Sequence, residues 1–361
     1  MKILYAIQGT GNGHITCARD LLPRLMRRAE VDILVSGCQV DVDLPYEIKY
    51  RFGGLSFIFG KKGGIDYVET YKRSKLKRLF REIRQLPVEK YDLVISDFEP
   101  VSAWACFIRN RPCIGLSHQA AVVNPHSPRP AKTDLIGRAV LKYYAPTSCH
   151  YGYHYLPYDK NIFTPLIRSE IRQAEVSNRG HYTVYLPAYS DKRIIRLLSR
   201  FPHIQWQVFS KHCKKCYEDD HITIEPIGND AFIRSMASAE GVLCGAGFQT
   251  PAEVLYLRKK LMVIPMKGQY EQQCNAAALS MMGIPVIRNL KPKQAKPISA
   301  WLRSEQQLDL DFPDIGEEIV GMLLKKHARG GVEKMPGKSV DSYSRFRKLV
   351  LKKIFYQPEI K

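Results

Sequence analysis

The chain has 361 residues, 45% of them hydrophobic and 25% charged, a balance that excludes a disordered polypeptide and is ample for two domains. Its formal net charge of +20 asks for a partner of opposite sign: nucleic acid, an anionic membrane face or a phosphorylated substrate. No apolar run reaches the ~18 residues of a bilayer-spanning helix. The chain runs from Met1-Lys2 straight into ILYAI without a cleavage site, and its nine cysteines are an odd set. Both features point to reduced thiols and a cytoplasmic location.

KILYAI reads as a strand, with a helix from about residue 14 and a second strand at VDILVSG. YDLVISD, SAWACFIRN and PCIGLSH continue as strand, helix and strand. After a polar stretch around Ser169 to Gly180 the rhythm restarts. HYTVYLPAY is a strand, KRIIRLLSRF a helix, IQWQVFSK a strand and AFIRSMASA a helix, followed by the strands GVLCGAG and KLMVIPM on either side of a helix from Pro251. Apolar strands separated by helices imply buried parallel sheets covered on both faces. The expected architecture is therefore α/β: two doubly wound Rossmann-like domains, 1–175 and 176–328, facing across a cleft. Residues 329–361 follow as a loop and a basic helix.

The first turn, GTGNGH at residues 9–14, matches a dinucleotide fingerprint at Gly9 and Gly11 but places His14 where the third glycine belongs. A nicotinamide or flavin also needs an acidic residue at the end of the second strand, and here that strand ends Ser36-Gly37-Cys38. Dinucleotide binding is thereby excluded. The turn still follows a strand and opens a helix, where backbone N–H groups and the helix dipole favour an anion or a polar substrate, so Gly11, Asn12 and Gly13 are expected to line a ligand loop. An imidazole there, with an ordinary pKa of about 6.5, suits a general base. It needs a carboxylate to fix its tautomer, and Asp97 at the carboxyl end of YDLVISD supplies one. The structural alternatives are that His14 packs its helix and that Asp97 caps the helix beginning near Pro100. His118 in GLSHQ is a second candidate for the base or an acceptor contact.

The second turn is GVLCGAGFQTPAE. Thr250 at the N-cap, Pro251 at the first helical position and Glu253 at the third form a capping box, and the helix-end amides make a diphosphate site. Beyond the next strand, KGQYEQQCNA gathers Lys267, Glu271, Gln272, Gln273 and Asn275. These suit the hydroxyls of a sugar, the alternative being a solvated helix start.

At these two blocks the sequence resembles the GT-B glycosyltransferases, specifically the MurG and UDP-glycosyltransferase superfamily and its small prokaryotic members that begin with GTGNGH. The resemblance spans nearly the whole chain. It implies a GT-B fold, His14 as catalytic base and Asp97 as its partner. It further implies that Glu253 grips the ribose of the nucleotide and that Glu271 and Gln272, with Gln273 and Asn275 adjacent, read the donor sugar. Gly247, Phe248, Gln249 and Thr250, with Lys267, would take the diphosphate. Plant-type members carry a histidine where this chain has Gly245, and Gly245 also departs from the paired glutamates of retaining enzymes. The implied activity is inverting, metal-independent hexosyl transfer from a nucleotide sugar, with UDP as the expected carrier. No cofactor and no specific protein partner are implied.

YKRSKLKRLFREIRQLP, from Tyr71, sets Leu76, Leu79, Phe80, Ile83 and Leu86 on one helical face among seven cations, and SRFRKLVLKKIFY near the end is similar. Such helices lie on anionic membranes or pack on their own core. The former reading implies a peripheral location on the inner membrane face and a lipid-linked acceptor. A nucleotide-sugar epimerase or hydrolase is the rival on the same fold. Nucleic-acid binding is disfavoured because no finger, helix-turn-helix or RNA-binding signature is present. Asp41 with Asp43 and Asp219 with Asp220 are isolated acidic pairs, and Cys213 with Cys216 lacks the second pair that zinc needs, so no metal site is expected.

Overall fold

The computed structural model describes residues 1–10, 12–39, 44–55, 76–132, 134–305, 308–327 and 343–354. It divides into two compact units, one of residues 1–127, 132–166 and 314–361, the other of residues 128–131 and 167–313.

In the first unit β1 (Lys2–Thr10), α1 (Asn12–Met26), β2 (Glu30–Gln39), β3 (Tyr50–Phe52), α2 (Leu76–Gln85), β4 (Leu93–Asp97) and α3 (Pro100–Ile108) follow one another. Then come β5 (Ile114–Leu116), α4 (His118–Val122), α5 (Leu135–Tyr143), β6 (Cys149–Tyr153) and β7 (Ile162–Phe163). The strands lie in the order β3-β2-β1-β4-β5-β6-β7, every neighbouring pair parallel. Ile3 through Ile7 are fully buried, as a central strand covered on both faces requires. Winding reverses between β1 and β4, which pair with Ile7 opposite Asp97. Ligands of open α/β sheets collect beyond the carboxyl ends of strands at such a reversal.

The second unit runs α6 (Ser169–Arg172), β8 (His181–Tyr185), α7 (Asp191–Leu198), β9 (Gln205–Ser210), β10 (Tyr217–Asp219) and β11 (Ile222–Pro226). It continues with α8 (Asn229–Ser238), β12 (Gly241–Gly245), α9 (Gln249–Tyr256), β13 (Lys260–Ile264), α10 (Tyr270–Met281) and α11 (Ala295–Leu302). Its strand order is β10-β11-β9-β8-β12-β13, parallel except for the β10–β11 hairpin. Here the reversal lies between β8 and β12, and the glycine-bearing turn leaves the end of β12.

The compact units meet at other points of the chain than the expected 175/176 and 328/329 boundaries. The polar stretch after Ser169 already belongs to the second unit: Ile171 is fully buried, and the N–H groups of Ser177 and Arg179 donate to the carbonyls of Ala237 and Ser238. At the other end, α12 (Gly316–His327) packs on the first unit, not the second. Arg24 of α1 pairs with Asp314 at 2.9 Å, Arg27 and Arg28 hold Glu317, and the Tyr151 hydroxyl meets His327 Nε2 at 2.8 Å. Burial of Ile319, Val320 and Leu323 brings this segment back, and the exposed ion pairs add little to it.

The basic helices use their apolar faces internally. Leu76, Leu79, Phe80 and Ile83 of α2 are all buried in the first unit's core, with Leu86 beyond them, each side chain contributing about 1.5–3 kcal/mol. α13 (Tyr343–Ile354) lies against α2 and α5 with Val350 buried. The described apolar side chains that would enter a bilayer are therefore turned inside the protein, while Lys77, Arg81, Arg84, Arg345, Arg347 and Lys348 face outward. No helix of the described residues is long and apolar enough to cross a membrane. Gly11, the Asp41–Asp43 pair, Lys72, Arg73 and Lys75 lie outside the described residues, as do residues 329–342 of the expected loop.

Candidate active site

In the first unit His14 stands in the opening turn of α1, directly beyond β1, and Asp97 closes β4 alongside. His14 Nδ1 lies 2.8 Å from Asp97 Oδ1, the imidazole 15% exposed and the carboxylate 4%. Donation from Nδ1–H to Asp97 leaves the Nε2 lone pair as the ring's acceptor. Gln119, the second residue of α4, brings its amide nitrogen to 3.4 Å from Nε2. His118 is buried, its Nδ1 bonded to the Tyr153 carbonyl at 2.8 Å and its ring set edge-on to His154. Among the described contacts it is Gln119 that the fold brings to His14, while His118 is turned to the Tyr153 carbonyl. Burial, with the neighbouring His118, holds His154 well below the ordinary imidazole range, so it is neutral near pH 7.

Asp97 is available because a different carboxylate caps α3. Glu99 is the N-cap, fully buried, accepting from Val101 N at 2.7 Å, Ser102 N at 2.6 Å and Ser36 Oγ at 2.6 Å. Burial pushes its pKa up and these hydrogen bonds oppose that rise. Ser36, at the strand end where a dinucleotide fold carries its acid, serves this cap instead. Beneath α1, Tyr5 and Tyr153 are buried with hydroxyls that find no partner among the described residues. Burial first, then the nearby negative charges including Asp97, pushes both phenols well above their ordinary range, so both remain neutral.

In the second unit the turn from β12 to α9 differs from the expected capping box. The helix begins at Gln249 with Phe248 as N-cap, and no side chain caps it. Thr250 therefore falls inside the helix, and Glu253 lies in its second turn, too far along to reach back. Glu253 is instead 1% exposed and bound in bidentate fashion by Arg168, Nε to Oε1 at 2.6 Å and Nη2 to Oε2 at 2.8 Å. Gln249 Nε2 adds a bond of 2.9 Å to Oε1, and Arg168 Nη1 reaches Asn229 at 2.7 Å. A β-carbon on Gly247 would meet nothing within 4 Å, so packing does not dictate glycine there.

The polar cluster divides into two sets. Asn275 is fully buried and donates to the Ala246 carbonyl at 3.1 Å, and Gln272 Oε1 accepts from Met266 N at 2.9 Å. Both brace the turns. Glu271 and Gln273 are half-exposed and Lys267 is exposed. Sequence reasoning missed Arg168, Gln119, Phe98 and Glu99. Only Glu99 carried a local signal, an acidic N-cap directly before proline.

The sequence profile of glycosyl transferase family 1 matches residues 1–304. A search of curated protein sequences found no match. Among solved structures, the UDP complex of UGT89C1 from Arabidopsis thaliana is similar at 12% identity and a TM-score of 0.53, covering 98% of this chain and 100% of that one. A UDP-glucosyltransferase from Polygonum tinctorium, in a complex with 3,4-dichloroaniline, gives 12%, 0.54, 97% and 97%. MurG of Acinetobacter baumannii gives 14%, 0.49, 97% and 99%. The first two share the fold across both units.

Proposed function

Since the chain belongs to glycosyl transferase family 1, we propose that it moves a hexosyl group from a nucleotide sugar, carried on UDP, to an acceptor hydroxyl with inversion at the anomeric carbon. The observation that carries this reading is the 2.8 Å His14–Asp97 contact at the strand reversal of the first unit. Asp97 holds the Nδ1 proton, so Nε2 accepts the proton of the acceptor hydroxyl. The freed oxygen bonds to the anomeric carbon as the carbon–oxygen bond to the diphosphate breaks, and that electron pair leaves with the diphosphate. Amides at the start of α9, with Lys267, stabilise the departing charge without a metal ion. Glu271 and Gln273 face the donor sugar, while Gln272 and Asn275 hold the turns that surround it. Glu253, 1% exposed as it stands, would take the ribose hydroxyls by exchanging its Arg168 bond at Oε2 for them.

A lipid-linked acceptor and a membrane partner have only the outward charges of α2 and α13 behind them. The two UDP-glycosyltransferases of similar fold support UDP as carrier by likeness alone. The reading is tested by incubating the protein with nucleotide sugars, with and without a panel of acceptor alcohols. Donor is expected to be consumed only when an acceptor is present, giving a glycoside. Free sugar formed without acceptor would indicate a hydrolase, and an isomerised nucleotide sugar an epimerase; either contradicts the proposal.

A further inference from the structure

Asp97 and Glu99 each have a fixed task, and the single residue between them must turn the chain from a strand into a helix. It does so with φ of +55°, in the left-handed region. Glycine adopts that conformation freely, whereas a bulky side chain there is strained, and strain of this kind persists only where its surroundings over-determine it. The residue is Phe98. Its backbone is pinned on one side by the His14–Asp97 bond and on the other by the three hydrogen bonds of Glu99.

What the strained position achieves is the placement of a ring. The Phe98 phenyl lies 8° from parallel to the His14 imidazole, centroids 6.4 Å apart, and 26° from parallel to Tyr144 at 4.7 Å. These separations are those of offset aromatic stacks. Tyr144 is itself immobilised. Fully buried, it accepts from Gln8 Nε2 at 2.9 Å, donates to the Leu55 carbonyl, and has its own carbonyl bound by Trp104 Nε1 at 3.0 Å. A rigid support therefore runs from the core through Tyr144 and Phe98 to the imidazole.

We infer that Phe98 is a positioning residue for His14, its left-handed backbone holding a ring that fixes the plane of the imidazole. The inference rests on the reading of His14 as base. The bond to Asp97 anchors Nδ1, and the Gln119 amide lies 3.4 Å from Nε2, but both still leave a small rotation of the ring plane about χ2. A parallel ring alongside removes that rotation, so the Nε2 lone pair keeps one direction, and small misplacements of a reacting group carry large rate costs.

The test compares Phe98→Gly, Phe98→Tyr and His14→Ala. Phe98→Gly relieves the backbone and removes the ring. It is expected to lower kcat by about 10- to 100-fold with the donor KM unchanged, and to broaden the acid limb of the kcat/KM pH profile. Phe98→Tyr, which keeps the ring, is expected to restore kcat to within about 3-fold, a rescue within the range of ordinary conservative changes. Independently of turnover, the imidazole ¹H–¹³C resonances of His14 should form one sharp set in wild type and Phe98→Tyr, and broaden or double in Phe98→Gly. Wild-type kcat and unchanged resonances in a folded Phe98→Gly, with His14→Ala inactive, would overturn the inference. Full activity in His14→Ala would instead overturn the base assignment, and the inference with it.

Discussion

Replacing His14 with alanine is expected to lower sugar transfer by about 100- to 10,000-fold while leaving nucleotide binding intact. The size follows from the loss of a positioned base, and the selectivity from the fold, because His14 and the turn proposed to bind the nucleotide belong to different units. Asp97→Asn should also be severe. An asparagine side chain can present its N–H₂ to Nδ1, which favours the tautomer with the proton on Nε2 and removes the acceptor that catalysis needs. Glu99 gives a useful contrast. It sits two residues from Asp97 and is fully buried, but its oxygens serve the α3 cap, so its removal acts first on stability and reaches proton transfer only through the Phe98 backbone that the cap pins. Turnover measured alongside the nucleotide Kd separates these effects. A folded His14→Ala variant with the wild-type rate would remove the proposed mechanism.

The second large effect concerns stability. Arg168→Ala is expected to cost about 3–5 kcal/mol, because it leaves the Glu253 carboxylate buried with only Gln249 as partner. Arg168→Lys should recover part of this, since an ammonium restores charge but cannot reproduce the bidentate geometry. The double variant Arg168→Met, Glu253→Leu should be far closer to wild type than either single change suggests, because burying no charge is less costly than burying one alone. Chemical denaturation of wild type, Arg168→Met, Glu253→Leu and the double variant completes the cycle. If Arg168→Ala lost less than about 1 kcal/mol, the pair would be behaving as a solvated surface contact. The cycle also divides the two roles of Glu253. A stable double variant that no longer binds nucleotide would place the carboxylate at the ribose, and one that binds normally would leave it a strut.

Much of the scaffold could be read from the chain because the central strands are largely apolar runs ended by small or polar turns, whereas edge strands such as β3 and β10 carry no such run. KILYAI and YDLVISD are adjacent in the sheet, which is why a histidine after the first and an aspartate closing the second meet. The pairing of Asp97 with His14 was legible by the chemistry of imidazole tautomers, although the competing role as helix cap fell to Glu99 two residues on. The capping box at Thr250 misled because its pattern is local, whereas the helix start was set by the turn and Glu253 was claimed by Arg168 from another part of the chain. The return of α12 to the first unit rests on the buried face of Ile319, Val320 and Leu323, and the apolar pattern of a helix does not say which unit it packs on. The left-handed turn at Phe98 is a property of what lies on either side of it, and residue type alone argues against it.

The measurement that bears most directly on the proposed chemistry is the configuration of the anomeric carbon in the product, read by NMR from the glycoside formed with a donor of known configuration. Direct attack by a hydroxyl deprotonated at His14 predicts that the configuration is inverted. A product that keeps the configuration of the donor would contradict single displacement with His14 as the base.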